Sequence, residues 1–200
     1  MRRVLVTAGA LAALITGIAC GASGDPDGEG ADIVESGTEG ATAPPEEGDN
    51  AGVAVGTREN PLAPGVTFAV GDWTVQLGTT NTNADDVVEA ENQFNEPPAE
   101  GRRFVMVEAT VTYTGDDSGT PWIDLSFTFY GSGGNTFGTG LDDYCGLTPS
   151  PLDEQGEMFP DASATGNVCV SVPADQIDGG AWIVEELLAL ETDRTFVALQ

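Results

Sequence analysis

A chain of 200 residues has room for one domain with accessory segments. Its charge is one-sided, because 33 acidic residues face six Arg, and neither Lys nor His occurs anywhere in the chain. This composition excludes a nucleic-acid-binding surface and a polybasic membrane patch, which need clustered cations. It also excludes the catalytic triads, imidazole metal sites, Schiff bases and phosphate-binding loops that depend on His or Lys.

The first 19 residues predict an export signal. Arg2 and Arg3 give a short positive start, and residues 4–19 form an uncharged, largely apolar run that is shorter than the ~20 residues of a membrane-spanning helix. The run ends in Gly17-Ile18-Ala19-Cys20-Gly21. This ending resembles the lipobox of bacterial lipoproteins, with Gly17 where that pattern usually has an aliphatic residue. The resemblance implies that residues 1–19 are removed and that Cys20 is diacylated.

A lipid on Cys20 predicts a membrane-anchored protein on the extracytoplasmic face of the cell membrane. Two acyl chains hold a protein there stably, whereas one chain gives marginal binding. Without residues 1–19, the mature chain carries 33 acids against four Arg, a net charge of −29. The alternative is an ordinary secretory signal followed by a free thiol, which is a liability outside the cell.

Residues 20–60 predict a lipid-anchored, acidic, disordered tether. The 40 residues 21–60 hold nine Gly and ten acids but almost no large apolar side chains. They cannot bury enough apolar area to offset the entropy lost on ordering. As a flexible coil, the segment spans about 35 Å on average, and its like charges extend it further. We expect it to lift the following domain off the membrane.

The domain that follows, residues 61–200, alternates apolar and polar positions, which predicts half-buried β-strands. The predicted strands cover residues 66–70, 73–77, 102–114, 123–130, 168–172, 181–190 and 194–199. Residues 185–190 include good helix formers, but the polar break at 191–193 and the apolar run after it favour a strand in a closing hairpin. Phe104 and Met106 indicate that the longest strand is covered on both faces at its start. Two of the three Trp residues are expected in the core.

The breaks between these runs carry Gly, Asp, Asn and Ser, which are the residues of tight turns. About seven to eight strands with frequent turns and little helix predict an all-β fold, an antiparallel immunoglobulin-like β-sandwich.

Three stretches of the domain carry a family resemblance: Val-Gly-Asp-Trp-Thr-Val at residues 70–75, Gly-Arg-Arg-Phe-Val-Met-Val at 101–107, and Gly-Asn-Val-Cys-Val-Ser-Val-Pro at 166–173. From residue 60 to 199, the chain resembles the telokin-like, immunoprotective-extracellular-protein type of domain found in many bacterial lipoproteins. In that family a long strand follows a Gly-Arg turn and a late strand ends in Pro. The resemblance implies an immunoglobulin-like sandwich and no assigned activity.

The cysteines also predict an exported domain. With Cys20 lipidated, Cys145 and Cys169 remain as a pair in an oxidising compartment, which predicts a disulfide between them. Closing this loop stabilises the fold by roughly 3.5 kcal/mol on the chain-entropy estimate. Cys169 alternates with Val168 and Val170, so the bridge is expected on the outer or edge side of its strand. The alternative, a metal or redox pair, has neither His nor a Cys-x-x-Cys spacing to support it.

Without His and Lys, the carboxylates of Asp and Glu are the side chains that remain for catalysis or metal binding. Paired acids are able to cleave glycosides, but with 23 acids in residues 61–200 some lie near each other by chance. We therefore predict no enzyme and no cofactor besides the lipid. Asp142-Asp143, Asp116-Asp117 and Asp85-Asp86 are loop doublets that suit Ca²⁺. None matches the spaced Asp-x-Asp-x-Asp-Gly loop, and the alternative is a set of solvated turn acids.

Two functional classes stay open for the domain. The first is a non-enzymatic interaction or adhesion module that meets an envelope protein or a glycan, and the second is a lipoprotein that binds a small ligand or Ca²⁺. A concave apolar pocket favours the second class, and an exposed aromatic patch, around Trp122 or Tyr130, favours the first. The short chain favours the first. The excess of acidic over basic residues is typical of a well-hydrated, soluble surface. The alternative is that these acids attract a cationic partner.

Overall fold

The structure is a computed structural model, and it describes residues 55–138, 140, 143–189 and 193–200. The predicted leader, the lipid site at Cys20 and most of the predicted tether lie outside the described residues, and so does the calcium candidate Asp142. Within the described part of the chain, no helix is long and apolar enough to cross a membrane.

Eight strands form two four-stranded antiparallel sheets that pack face to face. The strands are β1 Thr67–Val70, β2 Trp73–Leu77, β3 Arg102–Tyr113, β4 Leu125–Tyr130, β5 Thr136–Phe137, β6 Ser163–Pro173, β7 Ala181–Glu186 and β8 Thr195–Ala198. The first sheet has the order β1-β2-β3-β6 and the second the order β5-β4-β7-β8. The predicted all-β, immunoglobulin-like sandwich is confirmed. Its strand order differs from that of an immunoglobulin constant domain, whose first sheet joins its first, second, fifth and fourth strands.

The inner core, which lies between the two sheets, follows from the period-2 alternation of the strands. Inward positions of β2, β3, β4, β6 and β7 are buried in one apolar cluster that includes Trp73 and Trp182. Trp182 also places its indole Nε1 3.0 Å from the Oγ1 of Thr80, to which it donates a buried hydrogen bond. Trp122 is 56% exposed. Two of the three Trp residues are therefore in the core, as predicted.

The outer cluster lies on the opposite face of β3 and β6. Its six members are buried side chains from four parts of the chain: Ala84, Val88, Phe104, Met106, Cys145 and Cys169. Burial of Phe104 and Met106 confirms that the start of β3 is covered on both faces.

The helix α1, Asp85–Glu91, covers part of this outer face and was not predicted. Its only buried residue is Val88, so the sequence has no periodic apolar stripe that would indicate a helix. The prediction of Asp85-Asp86 as a loop doublet is wrong, because both residues form the first turn of α1. The Oδ1 of Asp85 accepts a hydrogen bond from the amide of Phe104 at 2.7 Å, which fixes the helix to β3.

Two strand boundaries test the predictions at the second sheet. The strand predicted over residues 181–190 ends at Glu186, and as β7 it pairs with β8 in the predicted hairpin. The strand predicted from residue 123 instead begins at Leu125, because Pro121–Asp124 forms the one-turn helix α2 and leaves Ile123 exposed. Proline fixes the backbone angle that a first helical turn needs, and the Oδ2 of Asp124 accepts the amide of Thr120 at 2.8 Å.

The end of the predicted tether pairs with the sandwich. The carbonyl of Gly56 accepts the amide of Phe196 at 2.7 Å, and Leu62 exchanges hydrogen bonds of 2.8 Å with Phe196 and Ala198. Leu62 is buried in the inner core. In the part of the chain described from residue 55 onward, backbone pairing with the domain therefore starts at Gly56, ahead of the predicted boundary at residue 61.

Candidate functional site

A cleft of about 400 Å³ opens on the side of the sandwich where β6, an edge strand of the first sheet, faces β4 of the second. Its walls come from five parts of the chain: residues 121–127, residues 144–148, residues 151–154, Asn167–Cys169 of β6, and Leu187 just beyond β7. The cleft is therefore built from loops and strand ends that only the folded chain brings together.

The rim of the cleft is apolar and exposed, while its floor is apolar and buried. The exposed fractions on the rim are 56% for Trp122, 57% for Tyr144, 51% for Leu147 and 50% for Leu187. The floor belongs to the inner core and is formed by Leu125, Phe127, Leu152 and Val168. Large apolar side chains that stay half exposed around a concave surface are typical of a site that a partner covers.

The helix α2 positions Trp122. Asp124 holds the amide of Thr120 with its carboxylate, and its backbone carbonyl accepts the amide of Leu187 at 2.8 Å. This second bond ties the residue after β7 to α2, so that Leu187 and Trp122 line the same cleft. The wall made by these two side chains is therefore supported by backbone hydrogen bonds rather than by contact between the side chains alone.

The opposite wall, residues 144–148, is fastened by a covalent bond. Cys145 and Cys169 form a disulfide, with Cα atoms 6.0 Å apart and a sequence separation of 24 residues. The bond lies in the outer cluster and not in the inner core, on the side of β6 that the alternation predicts. It holds Tyr144 and Leu147 next to the edge strand.

Polar contacts fix the same wall at both ends. The guanidinium of Arg102 forms an ion pair with the carboxylate of Asp143 and also donates to the carbonyl and, at 2.9 Å, to the hydroxyl of Ser171. At the other end, the side chain of Asn95 donates to the carbonyl of Leu147 at 2.8 Å and accepts its amide at 2.9 Å. Both ends of the wall are thus bonded to distant parts of the first sheet or its connections.

The segment that follows, residues 149–152, packs closely on β6. The amide of Asn167 donates to the carbonyl of Ser150 at 2.9 Å, and its side chain donates to the carbonyl of Pro149 at 2.6 Å. A Cβ added to Gly166 would lie only 2.7 Å from the Cα of Leu152. Glycine at this position permits the close approach of residues 149–152 to β6.

The predicted calcium ligands are not brought together. Asp143 is paired with Arg102, Asp116 and Asp117 are exposed in the connection from β3 to α2, and Asp85 and Asp86 are in α1. In the ranges that the structure describes, no group of three or more acids or cysteines is placed to hold a metal ion. No observation in these ranges favours one of these residues as a calcium ligand.

Acidic residues gather at the end of the sandwich beside α2. Burial raises the pKa of the Tyr113 hydroxyl above its ordinary value, and the negative charges of Asp72, Asp117, Asp124 and Asp116 raise this pKa further. Four carboxylates close enough to disfavour a tyrosinate make this end strongly negative.

Part of this site was predictable from the sequence. The sequence offered Trp122 or Tyr130 as the centre of an exposed aromatic patch. Trp122 is 56% exposed, whereas Tyr130 is partly buried and packs edge-on against Phe196 with ring centres 6.0 Å apart. Leu147 and Leu187 were missed. Leu147 is a single leucine in a loop, which does not differ in sequence from a core residue, and Leu187 was included in the predicted strand 181–190, which ends at Glu186. The apolar pair Leu187-Leu188, placed just after a strand, is the signal that was available.

Comparison with known proteins finds weak structural similarity to three solved proteins and no match in sequence. No protein-family model and no curated protein matches the chain. Similar solved structures include a conserved hypothetical protein from Bacillus anthracis, with 14% identity, coverage of 68% of this chain and 95% of the other, and a TM-score of 0.44. The secreted protein MPT63 from Mycobacterium tuberculosis has 15% identity, covers 66% and 93%, and scores 0.44.

A third similar structure is an uncharacterized β-sandwich protein from Clostridium difficile, with 8% identity, coverage of 79% and 100%, and a TM-score of 0.41. At these levels of similarity the matches carry no argument about fold or function. The resemblance to a lipoprotein family therefore stays a prediction, and the candidate site depends on the geometry of the cleft alone.

Proposed function

We propose that this chain is a non-enzymatic binding module, held on the extracytoplasmic face of the cell membrane by a lipid on Cys20, and that the cleft receives a segment of a partner protein. One observation carries the second part of this proposal. Four large side chains on the rim, those of Trp122, Tyr144, Leu147 and Leu187, remain about half exposed around a buried apolar floor.

The exposure of the rim favours a protein segment over a small ligand. A pocket for a small molecule encloses its ligand and buries most of the ligand surface. Here about half of each rim side chain stays exposed, so a partner that covers the rim would bury more apolar area than a ligand inside the cleft. Trp and Tyr are also the residues that most often dominate the energy of protein interfaces.

A small apolar ligand is the second candidate, and the size of the cleft favours it. A volume of about 400 Å³ lies within the range of ligand pockets, roughly 300–1,000 Å³. The two candidates differ in what contacts the rim, so one experiment separates them.

Site-specific photo-crosslinking on intact cells tests the proposal. A photoreactive phenylalanine analogue replaces Leu147 on the rim or, as a control, Ser132, which is exposed in the turn beyond the opposite end of β4, about 17 Å along the strand. We expect a discrete protein adduct from position 147 and not from position 132. Trp122→Ala should abolish this adduct, because it removes the largest rim side chain without touching the core.

The captured protein is then purified and titrated in solution. Trp122→Ala should weaken binding by about 30-fold, the effect of losing an interface hot spot of about 2 kcal/mol. Unchanged melting temperature of Trp122→Ala checks that the variant is folded. If position 147 gives no protein adduct, or the same adducts as position 132, the cleft is not a protein-binding surface and the small-ligand candidate replaces it.

A further inference from the structure

We infer that the cleft selects partner segments in which Lys or Arg flanks large apolar side chains, an inference that rests on the proposed function. The apolar rim supplies the attraction for any apolar segment, and the charge around the cleft decides which segments are accepted. Charged residues at the edge of an interface contribute mainly to specificity and association rate.

The charge of the lining is entirely negative. Asp153 and Glu154 line the cleft and are exposed, and the other polar side chains of the lining, such as Ser126 and Asn167, are neutral. No Arg lines the cleft in the part of the chain that the structure describes. A cationic residue of a partner that enters the cleft therefore meets carboxylates that are hydrated and accessible.

The surroundings of the cleft extend the negative charge. Asp124 is two residues from Trp122, and Glu186 directly precedes Leu187. Beyond them lies the acidic end of the sandwich, whose carboxylates act on Tyr113. The electrostatic fields of several like charges around a concave surface add up, and together they attract ligands of opposite charge.

The basic residues of the domain do not offset this field. Residues 61–200 contain three Arg against 23 acids. Arg102 is paired with Asp143, and the Nε of Arg194 lies 2.9 Å from a carboxylate oxygen of Glu185. Arg103 is exposed near the start of β3 and does not line the cleft. An anionic partner segment would be repelled from the cleft, whereas a cationic one is attracted at low salt and less so at high salt.

Three blocked pentapeptides test the inference on the folded, full mature chain. They share a central Leu-Trp-Leu and differ only in the residue at both ends, which is Arg, Gln or Glu. Binding is followed by NMR at the indole N–H of Trp122 and at the amides of the rim. We expect affinity to fall from the Arg to the Gln to the Glu peptide, by about tenfold overall at low ionic strength, with the difference shrinking severalfold in about 0.5 M salt.

Two double variants remove equal charge at different places. Asp153→Asn/Glu154→Gln neutralises the lining, and Asp175→Asn/Asp178→Asn neutralises two exposed acids near Ser132, at the other end of the sandwich. We expect the first variant to lose most of the preference for the Arg peptide and the second to keep it. Both variants change only exposed side chains, so both should fold.

The outcomes separate this inference from the function on which it rests. Equal shifts of the rim signals by all three peptides overturn the charge selection and leave the cleft as a binding surface. Equal loss of preference in both double variants overturns it as well, because the attraction then comes from net charge and not from the cleft. Absence of any rim shift with the Arg peptide at about 1 mM overturns it directly, while the crosslinking result decides the proposed function by itself.

Discussion

The inner core and the outer cluster bury apolar side chains on opposite faces of the same strand, β3, by different means. The inner core joins eight strands through continuous alternation, and it includes Trp73 and Trp182. The outer cluster joins six side chains and is held by the Cys145–Cys169 disulfide and the short helix α1. The inner core is stabilised by a large buried apolar area, whereas the outer cluster combines a smaller buried area with a covalent bond.

The two regions differ in how much sequence change they tolerate, and the cleft is built on the more tolerant one. The inner core supports both sheets, so its side chains are constrained by packing in every direction. The wall of the cleft, by contrast, is attached through the outer cluster and the Arg102–Asp143 ion pair. A wall attached by a few specific bonds tolerates changes at Tyr144 and Leu147 that the core would not tolerate.

Removal of the disulfide should have the largest effect on this comparison. In a Cys20→Ser background, Cys145→Ser/Cys169→Ser should lower the free energy of unfolding by roughly 3.5 kcal/mol, because the loop between the two positions is no longer closed in the unfolded chain. Hydrogen exchange of residues 143–148 should also increase more than that of β7. Urea unfolding and exchange mass spectrometry measure the two effects.

A thiol assay on the unfolded Cys20→Ser chain provides the matching control. Without reductant it should find no reactive thiol, and with reductant it should find two. Two reactive thiols before reduction would show that the disulfide does not form. The outer cluster would then lack a covalent bond, like the inner core.

A matched pair of substitutions measures how tightly each of the two regions is packed. Val170 in the inner core and Val88 in the outer cluster are both fully buried. Val170→Ala should lower the free energy of unfolding by about 2 kcal/mol, from lost burial and a residual cavity. Val88→Ala should lower it by about half as much, because a helix of seven residues is able to move into the space. Urea unfolding compares the two.

The exposed neighbour Val87 is the control for the second substitution. Val87→Ala keeps the buried face of α1 and improves helix propensity by a few tenths of a kcal/mol, so it should change stability little. If Val88→Ala proved as costly as Val170→Ala, the outer cluster would be packed as rigidly as the inner core.

The smallest effect is expected from alkaline pH at the polar end of the inner core. Burial, followed by the neighbouring Asp residues, raises the pKa of Tyr113 in the folded protein above 10.0. Between the unfolded and the folded pKa, the Tyr113 phenol therefore keeps its proton in the folded state and loses it in the unfolded state. Stability from this group is complete below about pH 10 and is lost as the pH rises through the folded pKa.

Tyr113→Phe should flatten this alkaline decrease, since the variant has no phenol to ionise. Tyr144→Phe, which changes an exposed tyrosine, should leave the decrease in place. Urea unfolding between about pH 8 and about pH 11.5 measures both variants. A decrease that is equal in wild type and Tyr113→Phe would assign it to other groups.

The contrast between the two regions also explains what the sequence could predict. Alternation is local, so β3 was predicted to within one residue. Of β6, Ser163–Pro173, only residues 168–172 were predicted, because its first five residues are mostly small or polar and lack the apolar alternation. The disulfide partner of Cys169 followed from counting. Helix α1 and the turn at Pro121–Asp124 were not predicted, because α1 buries one apolar side chain and α2 contains four residues. The cleft combines five separate parts of the chain, and no local pattern encodes such a combination.

The segment from Gly56 to Leu62 protects one sheet edge from pairing with a neighbouring molecule of this protein. A sheet edge with unpaired backbone groups is a template on which a neighbouring molecule adds a strand. Here that segment occupies the outer side of β8 through three hydrogen bonds. This segment, which leads towards the proposed anchor, thereby also hinders aggregation through the β8 edge. A shortened chain that starts at residue 66 would expose that edge and polymerise more readily than one that starts at residue 55.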